Sequence, residues 1–411
     1  MGRKSSQRTK DRNSRRARKA NQRGVKPRAN AVTIPGSTRS FEVELKSPVQ
    51  GFAAHAAEAG NPVQTLVYGT CTVDNGEMLY ELLDAIGETF LYPTLLKLKI
   101  SSDSLSGFVV VLRGSKAKVY LNPDVALKIA YKGEKPINKG EVVTQQDVAD
   151  VELLEFPNVP IPDDACVVAH IKVQWRPVLY FDFSPNIEGQ SGRGTDYRRL
   201  MGQLYAKTAY RGLFQLKQHV AEQMFLDGWF PFVRLLPKRF SALQKAYEAG
   251  FSLDNAVKSI TDYCDADRIR RWSGLWFSRG ISEEHKPFIE SALKNYETGD
   301  YLATCTALMP RIEAIISEMG AEAVTFNQKE LIKRVERVAN DRHPDSNLFL
   351  PAMFKQYLSA FYFKNFNAQD AAGDIPVSRH SVAHGWVRAV GLDKKAAVQA
   401  FLILDQLAFL M

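Results

Sequence analysis

Hydrophobic positions follow two different patterns along the chain, and the first covers residues 38 to 186. Short apolar runs alternate there with turn residues, as in FEVELKS, QTLVYGTCTV, TLLKLKIS, FVVVLRGSKAKVYL, CVVAHIKVQW and PVLYFDF. Such runs are typical of strands, and Gly114-Ser115 predicts a hairpin turn inside the fourth. EMLYELLDAIGETF, residues 77 to 90, has helical spacing instead. This region is therefore predicted to be a mixed α/β domain.

From residue 196 onward the apolar spacing is helical. Helices are predicted at about 196–226, 237–249, 253–263, 282–297, 301–319, 327–340, 349–366, 379–390 and 394–410. The clearest begins after Asp300, a good N-cap, and ends at Gly320, with a kink expected at Pro310. The helix before it, across the turn TGD, completes a helical hairpin, and the last helices supply a four-helix bundle. The predicted fold class is α+β and multidomain, with an all-α C-terminal region.

Positive charge is concentrated at the N-terminus. Residues 1 to 30 hold twelve Lys or Arg against one acidic residue, Asp11, although the whole chain has a net charge of only +9. With so few apolar side chains, residues 1 to 33 are predicted to be disordered. The tail is either a solubilising arm or a nucleic-acid-binding segment that attracts phosphates, with the binding residues Arg15, Arg16, Arg18 and Lys19. Gly2 with Ser6 also fits N-myristoylation, but membrane association is not favoured.

Three glycines in NIEGQSGRGT, residues 186 to 195, separate the two patterns. Their spacing, G-x-x-G-x-G, matches neither the dinucleotide fingerprint nor the P-loop, so a linker is predicted. The predicted domains are a basic tail (1–33), a mixed α/β domain with a sensory or regulatory role (38–186), a Gly-rich linker (187–195), a helical connector (196–269) and a helical domain (270–411).

Cysteine use and hydropathy indicate the compartment. The four cysteines (Cys71, Cys166, Cys264 and Cys305) include no C-x-x-C pair, which argues against a thiolate metal site and favours a reducing environment. No apolar stretch is long enough to span a bilayer, and the N-terminus lacks the apolar core of a secretory signal. The expected location is the cytoplasm.

Candidate chemistry lies in PVSRHSVAHGWVR, residues 376 to 388. On a helix His380 and His384 share a face, but no glutamate lies between them and only Asp393 could be a third ligand. No metal or other cofactor is therefore expected, and a metal-dependent hydrolase is the third alternative. Ser378 as N-cap would place Arg379 in the first turn, where an anion is favoured. His384, one turn deeper, could then transfer a proton.

Phosphodiester cleavage requires these two functions, a phosphate holder and a proton carrier. Gly385 would be a mid-helix glycine, which costs about 1 kcal/mol relative to alanine and suggests that a substrate or helix approaches closely. The alternative is a capped helix whose histidines merely touch solvent or a neighbour. Either interpretation fits the spacing of these residues.

Arg379 and His384, separated by four residues near the end of an all-helical region, resemble the R-x4-6-H motif of HEPN domains. The preceding YETGDYLATCTALMPRIEAIISEMG is similar to the helical hairpin of bacterial HEPN proteins of the abortive-infection type, and the resemblance covers residues 270 to 411. It implies a HEPN-like four-helix bundle that dimerises and a metal-independent endoribonuclease. His384 would be the general acid or base for attack by the ribose 2′-OH, and Arg379 would hold the phosphate. The products would be a 2′,3′-cyclic phosphate and a 5′-OH end.

Two further residues support this hypothesis. His380 is expected to orient the arginine or contact RNA, and Glu313, an acid within an apolar stripe, is expected to pair with Arg379 or Arg388 unless it faces solvent. The predicted function is an antiphage-defence or toxin ribonuclease acting on RNA as a homodimer. An unknown trigger or antitoxin would bind the N-terminal domain. The alternative is a non-catalytic RNA-binding or adaptor protein that dimerises through the helical domain.

Overall fold

The structure is a computed structural model and describes residues 30–34, 39–49, 52–67, 70–187, 192–320, 322–365, 375 and 377–411. Residues 1–29 of the predicted tail, with Arg15, Arg16, Arg18 and Lys19, lie outside the described residues, as do residues 188–191 of the predicted linker. The predicted disorder up to residue 33 is wrong at its end, because residues 30 to 34 form a strand that pairs with residues 125 to 129.

The N-terminal part is built from antiparallel strands. They are β1 (Asn30–Ile34), β2 (Arg39–Glu44), β3 (Phe52–Ala54), β4 (Thr65–Val67), β5 (Thr70–Val73), β6 (Gly107–Arg113), β7 (Lys116–Leu121), β8 (Val125–Tyr131), β9 (Val148–Glu155), β10 (Cys166–Val173) and β11 (Arg176–Asp182). In the described part, six strands form a sheet in the order β2-β7-β6-β10-β11-β5, and β1-β8-β9 form a second. The Gly114 hairpin between β6 and β7 is present as predicted.

Alternation along the strands gives the large sheet two buried faces. Val110 and Leu112 pack into a core shared with Leu79, Phe90 and Leu95 of the helices that follow β5. Side chains one position out of phase enter a second, larger core that continues into the C-terminal helices; they include Val109, Val167, Ala169, Ile171, Val178 and Tyr180. Successive strand residues point to opposite faces of the sheet. One face therefore packs against the helices that follow β5, and the other face packs against the C-terminal helices.

The helices follow the strands in the chain, apart from two. These two are α1 (Glu77–Ile86) and α2 (Tyr92–Leu98), joined by a π-helical turn at Gly87–Leu91. The others are α3 (Tyr197–Ala209), α4 (Arg211–Phe214), α5 (Gln218–Leu226), α6 (Lys238–Ala249), α7 (Asp254–Tyr263), α8 (Ala266–Arg279), α9 (Lys286–Glu297), α10 (Tyr301–Glu318), α11 (Gln328–Arg342), α12 (Pro351–Tyr357), α13 (Arg379–Ala383) and α14 (Lys394–Leu410). The fold class is thus α+β, an antiparallel sheet region followed by an all-helical region.

Four of these helices, α8, α9, α10 and α14, contact one another in a closed ring. Helix α14 is apolar on all sides and every residue from 396 to 410 is buried, since α7, α8, α10 and α11 all pack against it. A helix that is hydrophobic all round belongs in a protein core or a membrane. None of the helices in the described part has the length and hydropathy to cross a membrane.

Several predicted elements differ from the structure. TLLKLKIS is not a strand, because residues 92 to 98 form α2. The predicted helix 196–226 is broken into α3, α4 and α5, and the predicted helix 379–390 is only five residues long. Helix α8 was not predicted at all, although Asp265 caps its start and Gly280, with a positive φ of 127°, ends it.

Direct contacts fix the helical region to the sheets. At Gly202 in α3 an added Cβ would lie 2.8 Å from the carbonyl oxygen of Glu152 in β9, so only glycine allows this close approach. The buried Asp150 carboxylate accepts hydrogen bonds from the backbone N–H groups of Asn347 and Leu348, at 2.9 and 2.7 Å. Arg193, within the predicted linker, is buried against Asp182 at 3.6 Å. The sheet region and helical region therefore share polar and apolar contacts.

Candidate active site

The short helix α13 carries Arg379, the first member of the predicted motif, and His384, the second member, is its C-cap rather than a residue one turn deeper in the helix. Ser378 is its N-cap, and its hydroxyl accepts from the backbone N–H of Ser381 at 3.2 Å, while the Ser381 hydroxyl accepts from the backbone N–H of Ser378 at 3.0 Å. This reciprocal capping box satisfies two backbone donors, and both serines are buried. A single turn of helix is thereby held rigidly on α10, against which it packs.

Gly385 ends the helix rather than lying within it. Its φ is +70°, the N–H of Trp386 donates to the carbonyl of Ser381 at 2.9 Å, and its own N–H donates to Val382 at 3.1 Å. These are the two hydrogen bonds of a Schellman motif, in which glycine is preferred at the left-handed position. No described atom lies within 4 Å of a Cβ added to Gly385. The predicted mid-helix position of Gly385 is therefore wrong, and the glycine serves as a helix C-cap; close approach of a substrate or partner helix stays a prediction.

Glu313 on α10 pairs with Arg379, one of the two partners expected from the sequence. Arg379 Nε and Glu313 Oε2 form an ion pair in which the side chains are 25% and 7% exposed. Burial raises the pKa of Glu313, and the charge and hydrogen bond of Arg379 oppose that shift. The pair fixes the guanidinium through Nε alone. Both terminal nitrogens of Arg379 lack a hydrogen-bond partner among the described residues.

Tyr362, which sequence reasoning missed, lies beneath this pair. It is fully buried at the end of the π-helical turn after α12, and its hydroxyl donates to the carbonyl oxygen of Met309 in α10 at 2.5 Å. Burial raises its pKa well above the usual value, with a further contribution from the nearby Glu313 carboxylate. A tyrosine in an apolar run is ordinarily interpreted as a core residue. Nothing in the sequence therefore predicted that Tyr362 lies close to Glu313 and Arg379.

The rings of His380, on α13, and His384, its C-cap, lie next to each other, with their centroids 4.5 Å apart. His384 is exposed, whereas His380 is partly covered. Burial lowers the pKa of His380, and the neighbouring His384 and Arg379 lower it further. The lowered pKa of His380 disfavours its charged form beside the Arg379 guanidinium.

Within the described ranges, no three His, Cys, Asp or Glu side chains are grouped closely enough to hold a metal ion. His380 and His384 lie together, but Asp393, the third ligand considered from the sequence, caps α14 by accepting from the N–H of Ala396 at 2.9 Å. Among the described residues, the metal donors next to each other here are therefore the two imidazoles.

Large apolar side chains follow the histidines on the surface. Trp386 is 50% exposed and Val390 is 82% exposed, and Arg388 lies between them. An indole beside a guanidinium and an imidazole is a combination that can stack on a nucleobase while the cations contact phosphate. Sequence reasoning did not single out Trp386, although a tryptophan directly after the R-x4-H spacing is a usable signal.

No protein-family model, curated protein or solved structure matches the chain.

Proposed function

We propose that this protein is a metal-independent endoribonuclease of the HEPN type. The observation that carries the proposal is the geometry of α13, where a guanidinium whose terminal nitrogens have no partner among the described residues lies on one capped turn and an exposed imidazole is the C-cap of that turn. Arg379 would hold the scissile phosphate and stabilise its developing charge, as arginine forks do on phosphate oxygens. His384 would transfer the proton.

The proposed step is a transesterification. The ribose 2′-oxygen forms a bond to phosphorus, the bond from phosphorus to the 5′-oxygen breaks, and the 2′-OH proton passes to a base while an acid protonates the leaving oxygen. The attacking and leaving oxygens lie roughly in line on opposite sides of phosphorus. His380 and His384, with centroids 4.5 Å apart on one turn, cannot lie on both sides. This favours a site completed by α13 of a second copy, and therefore a homodimer.

Substitution of His384 is the cleanest test, because an exposed side chain can be removed without disturbing the core. Purified His384→Ala should lose roughly 10²- to 10⁴-fold in RNA cleavage, the usual contribution of a general acid or base. Wild-type cleavage should continue in EDTA and leave 2′,3′-cyclic phosphate and 5′-OH ends, read by end-specific labelling. Expression of the wild type should arrest growth of the host cell, and His384→Ala should relieve the arrest.

Matched controls are His219→Ala and Arg271→Ala, which remove an exposed histidine and an exposed arginine that lie outside α13 and the segment after it. Both should cleave RNA like the wild type. Arg379→Ala should also be inactive, but it leaves Glu313 buried without its cation; Arg379→Ala combined with Glu313→Gln removes that charge and separates misfolding from lost catalysis. Full activity in His384→Ala and in the Arg379/Glu313 double variant would rule out the assignment.

A non-catalytic RNA-binding or adaptor protein is the second candidate, and one observation favours it. Arg379 is already neutralised by Glu313 and is only 25% exposed, which is how an arginine with a purely structural role is placed. In that case purified protein would bind RNA and leave it intact with and without EDTA. Trp386→Ala would then weaken binding, because stacking of one base on an aromatic side chain contributes about 1–3 kcal/mol.

A further inference from the structure

A cavity of about 300 Å³ lies far from α13 along the chain, where the sheet region meets the helical region. Its wall is formed by the first residue of β11, the end of α3, helix α4 and the start of α6. Small-molecule sites begin at about this size and favour such junctions between structural units. The cavity belongs to neither the candidate active site nor any motif in the sequence.

Two arginines line this cavity without a carboxylate to balance them. Arg176 and Arg211 are both exposed at its wall, and neither has a hydrogen-bond or ion-pair partner among the described residues. None of the lining residues is acidic. Gln244, which lines the cavity, donates from its side-chain amide to the carboxylate of Glu248 at 2.8 Å. Two unpaired guanidinium groups on one wall create a field that favours an anion with at least two acceptor oxygens.

The inner wall adds a buried donor that lacks a partner. Thr208 is 4% exposed, and its hydroxyl has no hydrogen-bond partner in the described structure. A buried hydroxyl without a partner is unfavourable by roughly 1–3 kcal/mol on mutational scales, so its presence here points to a ligand that supplies an acceptor. Ser241 offers a second hydroxyl, likewise without a partner in the described part.

Apolar side chains complete the wall. Leu213, Leu236 and Phe240 are buried and line the same cavity, and they can cover the carbon skeleton of a ligand. Arginines and hydroxyls that line one cavity together with apolar side chains match a phosphate group attached to a small organic molecule. A carboxylate has fewer acceptor sites than these donors, whereas a phosphate monoester presents three oxygens.

We propose that this cavity binds a small phosphate ester, with Arg176 and Arg211 contacting the phosphate and Thr208 donating to it from the inner wall. The site does not depend on the proposed ribonuclease activity. It joins β11 to α3, α4 and α6, so an occupied cavity ties the sheet region to the first helices of the helical region.

The first test uses the full chain and inorganic phosphate. Phosphate should raise the melting temperature above that in chloride at the same ionic strength, because a ligand bound only to the folded state stabilises it. Adenosine 5′-monophosphate should bind in calorimetry, and adenosine, which has the same base and sugar without the charge, should not. No stabilisation by phosphate, or equal binding of adenosine, would overturn the proposal.

Variants assign the binding to this cavity. Arg176→Gln with Arg211→Gln should weaken nucleotide binding by about tenfold or more, and Thr208→Val, which keeps the side-chain shape, should weaken it by a smaller factor. Arg271→Gln removes an exposed arginine outside the cavity and should bind like the wild type. Unchanged affinity in the double arginine variant would show that the phosphate binds elsewhere.

One further arm separates two sources of the same phosphate group. A 5′-phosphorylated RNA oligonucleotide presents a phosphate monoester on a polymer, whereas the monophosphate presents it on a small molecule. Binding of the oligonucleotide that requires Arg176 and Arg211, with no binding of the monophosphate, would overturn the small-molecule assignment. Binding of the monophosphate with the same requirement supports it.

Discussion

At the scale of single residues, the polar side chains that interrupt apolar patterns were the best guide to buried ion pairs. Glu313 lies in the apolar stripe of α10, and burial of an unpaired carboxylate is so unfavourable that a nearby cation could be predicted from the sequence. The structure pairs it with Arg379. The choice between Arg379 and Arg388 could not be predicted, since it depends on where α13 ends. Asp405 interrupts α14 in the same way and has the buried Arg234 as its partner.

His170 provides a prediction about pH at this scale. It is 6% exposed on β10 and stacks on Phe108 with centroids 5.0 Å apart; burial, with a smaller effect of Lys172, lowers its pKa to about 4 from 6.5. Between these two pH values only the unfolded chain binds a proton there, so acidification favours unfolding. The lost stability should reach about 3 kcal/mol as the pH falls from 6.5 to 4.

The measurement is the free energy of unfolding by urea at several pH values. His170→Leu, which cannot titrate, should show a shallower loss than the wild type across this range. The control His219→Leu removes an exposed histidine and should keep the wild-type slope. Identical slopes for His170→Leu and the wild type would show that His170 is protonated in the folded protein.

At the scale of elements, apolar periodicity predicted the positions of most helices. It did not predict where they end, and it assigned one helix as a strand. TLLKLKIS alternates apolar and polar residues like a strand, yet leucine and lysine are strong helix formers, and packing on the sheet favours α2. Helix α8 is rich in charged residues, so its apolar face was not recognised, although its two caps were visible in the sequence. The amphipathic pattern after Ser378 continued past Gly385, and only the left-handed backbone there shows that the helix has ended.

Two substitutions at Gly385 separate its role as a helix cap from close approach of a ligand or helix. Gly385→Ala should destabilise the protein by about 1–2 kcal/mol, because a Cβ is disfavoured at a φ of +70°. Gly385→Asn should destabilise less, since asparagine tolerates the left-handed region. Chemical denaturation measures both. A ligand or helix close to the backbone would reverse the order, because asparagine is the larger residue.

At the scale of the whole molecule, one buried cluster joins both regions. Arg234 donates to both carboxylate oxygens of Asp405 in α14, at 2.9 and 3.0 Å, and to the backbone carbonyl of Lys132 after β8, at 2.9 Å. Trp276 of α8 also donates to Asp405, at 2.7 Å. Lys132 is itself buried, and its pKa is lowered to about 7 by burial and by the charge of Arg234. No sequence pattern links positions 132, 234, 276 and 405, so this cluster could not be predicted.

Removing one partner of this buried pair should be severe. Asp405→Ala leaves the Arg234 guanidinium in the core without its carboxylate and should destabilise the protein by about 3–5 kcal/mol, measured by urea denaturation. Arg234→Met combined with Asp405→Leu removes both charges and should recover most of that loss. Asp262→Ala breaks an exposed pair with Lys258 and should leave stability close to that of the wild type, because water screens such pairs. A small effect of Asp405→Ala would show that water reaches Arg234.

The position of α14 in the chain sets the order of events during synthesis. It follows every other described element, yet it closes the ring of four helices and supplies the carboxylate that Arg234 requires. While residues 394 to 410 are still inside the ribosome, α10 lacks one of the helices that pack against it, and α13 packs on α10. Since domains fold as units during translation, a nascent chain would hold an incomplete site until α14 has left the ribosome. Under the proposed function, the nascent chain would not cleave RNA before that point.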